Sequence, residues 1–260
     1  MPLTATQLER ALDLSRRYED EAGARVRELL EDARKDIITT LASQPDKWKA
    51  QYLRDILERV DLRISRLAVD FGTLSVAVTE RAIFAGSKIG ILPKPATAPV
   101  TMLPLEPTYL KGLADYRADL IKGLTDDARN KISAIIRRGL IAPRDMGDIM
   151  KELGTVAGRG VFKNLEYRGE IIFRTEYLRI ANMSNQVSME DSAKYVSNLK
   201  KRWVATFHNT RPAHVAAHGQ VVPVDKPFIV GNEPMMYPLD PMGSPQNVVN
   251  CRCVAVPVVG

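Results

Sequence analysis

From Leu8 to Leu92 the apolar residues return every three or four positions, the period of a helix with one buried face. Leu8, Ala11 and Leu12 open the stripe; Thr4 is placed to cap it, and Gln7 to complete a capping box. Ser43-Gln44-Pro45 interrupts the period. Beyond it Trp48, Tyr52, Ile56 and Val60 step by four, and Leu57, Ile64 and Leu67 carry the stripe on. Residues 4–92 therefore read as long packing helices with a break near 43–45, and no chemistry attaches to their apolar stripe.

Pro93, Pro95, Pro99, Pro104 and Pro107 remove backbone donors and fix φ, so 93–107 reads as an extended connector. A second helical block follows: Tyr109–Gly123, then Asp126–Arg138 with Gly139 as C-terminal cap, then a short helix from Pro143 to Leu153. Ile132, Ile135 and Ile136 give the middle helix its buried edge. After a glycine-containing loop at 155–160, a long helix is expected from Lys163 to Leu199, with Ile171, Leu178 and Ala181 on one face. At Lys200-Lys201-Arg202 the pattern changes. Short apolar runs at Val221–Val224, Phe228–Val230 and Val254–Val259, bounded by turn residues, read as strands. The expected architecture is mainly α: a long-helix stalk or bundle, then a small C-terminal α+β domain. The expected divisions are an N-terminal helical region 1–92, a proline-rich linker 93–107, a helical domain 108–202 and a small domain 203–260. No internal repeat is visible.

Composition changes this picture little. The chain has 260 residues, 45% hydrophobic and 26% charged, enough for one or two globular domains. No apolar run approaches the roughly 20 residues that span a bilayer, and Met1–Arg10 lacks the order of a secretory signal. Folding in a cytoplasm is the expectation. The net charge is +6. From Trp203 onward Arg211, Lys226 and Arg252 balance Asp225, Glu233 and Asp240, so the whole excess lies in 1–202. A basic helical body suits a non-specific DNA-binding module or another acidic partner; a solvated basic face with no partner fits equally.

The candidate chemistry lies at the C-terminal end, which holds all three histidines and both cysteines. A bridge across Cys251-Arg252-Cys253 would be a strained small ring. His214 and His218 are four apart, so on a helix both imidazoles share a face. Together His214, His218, Cys251 and Cys253 have the donor types of a tetrahedral structural zinc site. Such a staple would help a proline-rich segment that buries little core of its own. The alternative is that the histidines hydrogen-bond loops and the thiols pack as buried apolar groups. A metal-dependent hydrolase or nuclease, with His208, His214 or His218 and Asp225 or Asp240 as base or ligands, is the enzymatic reading. Against it, no nucleophile motif or phosphate-binding glycine loop is present.

Arg174-Thr175-Glu176 lies in the long helix. Its first and third residues project to different faces, so they are not each other's partner. Glu170, four before Arg174, is the simplest ion-pair partner; contact with the C-terminal domain is the alternative. Trp203 reads as a core anchor.

In order, Arg174-Thr175-Glu176, Trp203-Val204-Ala205-Thr206, Thr210-Arg211-x-x-His214, Gly219 and Asn250-Cys251-Arg252-Cys253 resemble the phage Mu F-like family of minor head proteins, over roughly 107–256. The resemblance implies a non-enzymatic protein of phage head morphogenesis, inside the virion head near the portal and in the host cytoplasm during assembly. It implies the portal protein or the major capsid protein as partner, with contact to packaged DNA or departure with it in some members, and admits a homo-oligomer. One departure is that Ser244-Pro245-Gln246-Asn247-Val248-Val249 stands where some members carry Pro-x-His-Pro.

Overall fold

The structure, a computed structural model, describes residues 5–43, 50–92, 107–141, 146–154, 160–207 and 209–260. Thr4, Trp48, the prolines from 93 to 104 and His208 lie outside the described residues, as do the side chains of Gln7 and Tyr52. Five helices lead: α1 (Ala5–Ala42), α2 (Ala50–Gly90), α3 (Pro107–Ile141), α4 (Met146–Leu153) and α5 (Val161–Ala193). The C-terminal part follows as β1 (Leu199–Val204), α6 (Pro212–Ala217), β2 (Val221–Pro223), β3 (Phe228–Val230), β4 (Glu233–Met235), α7 (Pro245–Val248) and β5 (Val254–Val259). The class is the expected one, mainly α with a small α+β end. The chain forms two compact units, each assembled from separated segments: Met1–Glu21, Ala77–Gly112 and Phe173–Gly260 in one, Ala22–Val76 and Leu113–Ile172 in the other.

Among the described residues, the second of these is built from helices. Val26, Leu30, Ala33, Ile37 and Leu41 from α1, Ile56, Val60, Ile64 and Leu67 from α2, and Ile132, Ile135 and Ile136 from α3 are buried. These are the positions the 3.6-residue period selects. Two expectations fail in α3. The helix runs unbroken through 123–126, where the Thr125 hydroxyl donates back to the carbonyls of Ile121 (3.0 Å) and Lys122 (3.1 Å) and the turn continues. Gly139 is not a cap, because the helix passes through it to Ile141. A Cβ at Gly139 would lie 2.2 Å from Ile149 Cδ1, so the glycine is there to admit α4.

The other unit holds the candidate site. Its centre is α5, where nearly every side chain from Phe173 to Met189 is buried. α2 reaches α5 through two glycines: a Cβ at Gly86 would meet the Ala181 carbonyl oxygen at 2.0 Å, and one at Gly90 the Asn185 carbonyl oxygen at 2.3 Å. The helix stops at Ala193, not Leu199 as expected. A turn follows, in which Tyr195 and Val196 donate to the Ser192 carbonyl, and Asn198 takes a left-handed φ of 56°. Lys200-Lys201-Arg202 then belongs to a strand. Leu199, Lys201 and Trp203 point inward while Lys200 and Arg202 face solvent, a period-2 alternation within a basic run.

β1 is the middle strand of an antiparallel sheet ordered β2-β1-β5, with Lys201 opposite Pro257 and Trp203 opposite Ala255; β3 and β4 form a separate hairpin. Among the described residues β5 has β1 as its one strand neighbour, and on its other side α5 supplies hydrogen bonds to Cys253 and Ala255. Asn182 Nδ2 donates to the Cys253 carbonyl (3.2 Å), the Ala255 N–H donates to Asn182 Oδ1 (3.4 Å), and Asn185 Nδ2 donates to the Ala255 carbonyl (2.6 Å). Amide side chains thus occupy a sheet edge that would otherwise present unpaired donors and acceptors.

Candidate metal centre

Three short local structures bring the C-terminal motif residues together. Pro212 opens α6 with its φ already set, and Arg211 is the extended residue before it. His214 sits on the buried side of that helix, 1% exposed. Asn250 takes a left-handed φ of 59°, which asparagine tolerates better than most residues, and turns the chain from α7 into Cys251-Arg252-Cys253. β5 begins immediately afterwards.

His214 Nδ1 lies 3.3 Å from Cys251 Sγ and 3.4 Å from Cys253 Sγ. Nδ1 and the two sulfurs all lie within 4.8 Å of one another, and the two cysteines are 3% and 2% exposed. Tetrahedral zinc bound to sulfur at ~2.3 Å and nitrogen at ~2.0 Å sets these atoms ~3.5 Å apart, so the spacing is close to that of a ligand set. His214 Nε2 is buried without a hydrogen-bond partner, which leaves the thiols as the ring's polar contacts among the described residues. The ring is held edge-on against Trp203, centroids 5.6 Å apart, and Trp203 packs in the same way on Phe228 at 5.3 Å.

Cys253 donates to Cys251, which also accepts the Cys253 backbone N–H and is stabilised as thiolate by His214. Cys251 is pulled down to about 5 against the opposing effect of burial. Cys253, the donor, is pushed well above the ordinary thiol range by that bond and by burial. A buried imidazole and two buried thiols this close together form a donor set suited to a soft or borderline cation.

The fourth expected ligand, His218, is not in the cluster. α6 ends at Ala217 and His218 is an extended C-cap (φ −56°, ψ 131°), so the helical i,i+4 relation does not hold. Its Nδ1 accepts the Ala205 N–H at 3.2 Å and its ring packs against Phe207. Gly219, at φ 81°, then donates its N–H to the Trp203 carbonyl.

The remaining motif residues brace the cysteine turn. The Asn250 N–H donates to Thr175 Oγ1 (3.0 Å), and Arg174 Nη1 donates to Asn250 Oδ1 (3.1 Å). Arg174 also pairs with Glu19 of α1 at 2.7 Å, and the same Glu19 oxygen accepts Arg252 Nε at 3.1 Å. Arg174 thus faces the C-terminal part; Glu170, the simplest partner on spacing, pairs with Arg27 instead. Glu176 forms a buried ion pair with Arg179 at 2.8 Å. Arg211 donates to the Val249 carbonyl, and Thr210 lines the adjoining pocket. Sequence reasoning missed Glu19, because nothing in α1 marks one acidic residue as the counter-charge for Arg252. Asn182, Asn185 and Gln186 carried a usable signal: three amides close together on an otherwise buried helix require partners.

Residues 130–256 match the family model described as Phage Mu protein F like protein. No curated protein and no solved structure matches the chain.

Proposed function

Residues 130–256 belong to the phage Mu protein F like family, one of bacteriophage head morphogenesis proteins, and on that premise we propose a minor head protein that docks on the portal or the inner capsid surface through its helical part. The observation that carries the docking is on α2. Leu62, Val69 and Val76 are 72%, 68% and 61% exposed and stand seven residues apart, one stripe along the helix. An aligned row of exposed apolar side chains on a long helix suits a partner helix better than it suits water. The net charge of +6 supports a second, non-specific contact with packaged DNA. The His214–Cys251–Cys253 cluster holds zinc as a structural ion that pins the cysteine turn onto α6. The role is structural, with no catalysis assigned.

The test combines purified heads with co-expression. The protein is expected in purified heads and in complex with the portal or the major capsid protein. Leu62→Asp/Val69→Asp is expected to lose that complex while keeping the wild-type helical signal and melting temperature. Absence from heads, together with recovery of neither partner, overturns the proposal.

A further inference from the structure

The cluster provides three protein ligands, and the histidine expected as the fourth is engaged elsewhere. Beside it lies a pocket of about 80 Å³, into whose wall His214, Cys251 and Cys253 all enter. One water needs roughly 10–15 Å³ of such space, so the pocket has room for several waters or for a carboxylate group. Its other walls are polar, with Asn209, Thr210, Arg211 and Asn250 among them, and among the described residues no acidic one lines it. The Arg252 guanidinium is paired with Glu19. The Arg211 guanidinium donates to a backbone carbonyl and meets no carboxylate among the described residues.

We infer that a metal bound by His214, Cys251 and Cys253 keeps its fourth coordination position open to this pocket and takes there a small anionic donor of the carboxylate class. The inference rests on the metal reading proposed above. A divalent cation with two thiolates and a neutral imidazole is formally uncharged, so the unneutralised Arg211 sets the sign of the pocket and favours an anion over a neutral donor. Three protein ligands with an open position is the arrangement of sites that exchange a ligand, whereas structural zinc sites are closed by four. The centre would then serve both as a staple and as a docking point for a carboxylate, free or carried by an aspartate or glutamate of another chain.

The test uses the full-length protein, freed of metal, reconstituted with Co2+ in buffer without coordinating anions, and titrated with acetate and with azide. One equivalent of Co2+ is expected, with a thiolate-to-cobalt charge-transfer band. Both anions are expected to change the d–d bands saturably while that band persists. Arg211→Gln is expected to bind Co2+ in full but both anions several-fold more weakly. A d–d spectrum that depends on protein concentration before any anion is added assigns the donor to a second copy of this chain. Full Co2+ binding with a spectrum that neither anion perturbs means a fourth ligand from the chain itself, and overturns the inference while leaving the metal reading intact. An unchanged anion affinity in Arg211→Gln removes the electrostatic basis and also overturns it. Failure to bind Co2+ stoichiometrically overturns the metal reading instead.

Discussion

Asn250 donates its backbone N–H to the Thr175 hydroxyl across 75 residues of sequence, and its side-chain oxygen accepts from the neighbouring Arg174. Two consecutive residues of α5 therefore fix the residue that starts the Cys-x-Cys turn. Asn250→Gly keeps the left-handed φ and loses only the side-chain bond, whereas Asn250→Val also forces a β-branched residue into that region. The glycine variant is expected to cost about 1 kcal/mol and the valine variant ~2–3 kcal/mol. Urea unfolding curves measure both; equal costs would show that φ at 250 does not matter.

The metal reading predicts about one zinc per chain, lost in His214→Ala and in Cys251→Ser/Cys253→Ser but retained in His218→Ala. Because the ligands bind metal only when deprotonated, zinc release is expected as pH falls, and chelation should lower the melting temperature. Metal analysis beside thermal melts reads this directly. Zinc lost equally in the His218 and His214 variants would contradict the geometry.

Lys201 is fully buried in β1, donates to Gln186 Oε1 (3.1 Å) and the Met236 carbonyl (2.7 Å), and lies 5.2 Å above the Phe228 ring. Burial pulls its pKa down from 10.5 to about 8, against the attraction of Glu190, Asp225 and Asp240. The folded state therefore releases this proton before the unfolded state does. Its penalty is present in full below about 8 and is relieved as pH rises to 10.5. Stability should thus rise across that window by on the order of 1–3 kcal/mol relative to Lys201→Met. Chemical denaturation of both proteins at several pH values checks the sign; parallel curves would dismiss it.

Helix glycines are expected to divide by their surroundings. Gly86→Ala and Gly90→Ala drive a methyl group into the backbone of α5 and should cost ~2 kcal/mol or more. At the exposed Gly123, where an added Cβ meets nothing within 4 Å, alanine should stabilise by about 0.5–1 kcal/mol. Melting temperatures of the three variants decide this, and a stabilised Gly86→Ala would refute the close approach.

Much of the helical body was legible because a buried face imposes its period on the sequence. The stripe Ile56–Val60–Ile64–Leu67 gave α2, and the isoleucines at 132, 135 and 136 gave the inner edge of α3. Glycine was the ambiguous letter. Gly139 reads as a stop in one dimension, and only the Ile149 side chain beside it shows that it makes room instead. The basic run at 200–202 concealed a strand, since alternation between core and solvent cannot be seen while Lys201 looks as polar as its neighbours.

For the candidate site, the sequence by itself determined the donor types and their order. Histidine and cysteine, as at His214, Cys251 and Cys253, are residue types able to ligate a metal, and Arg174-Thr175 and Asn250 were visible as motif residues. Which of them meet was decided by tertiary structure. A helix end between Ala217 and His218 turned one imidazole away. A left-handed Asn250, held by two residues of α5, turned two thiols toward the other. Glu19 joined through an ion pair spanning 233 residues. Spacing along a chain fixes proximity only within one regular element; across elements it is set by packing, which no local pattern encodes.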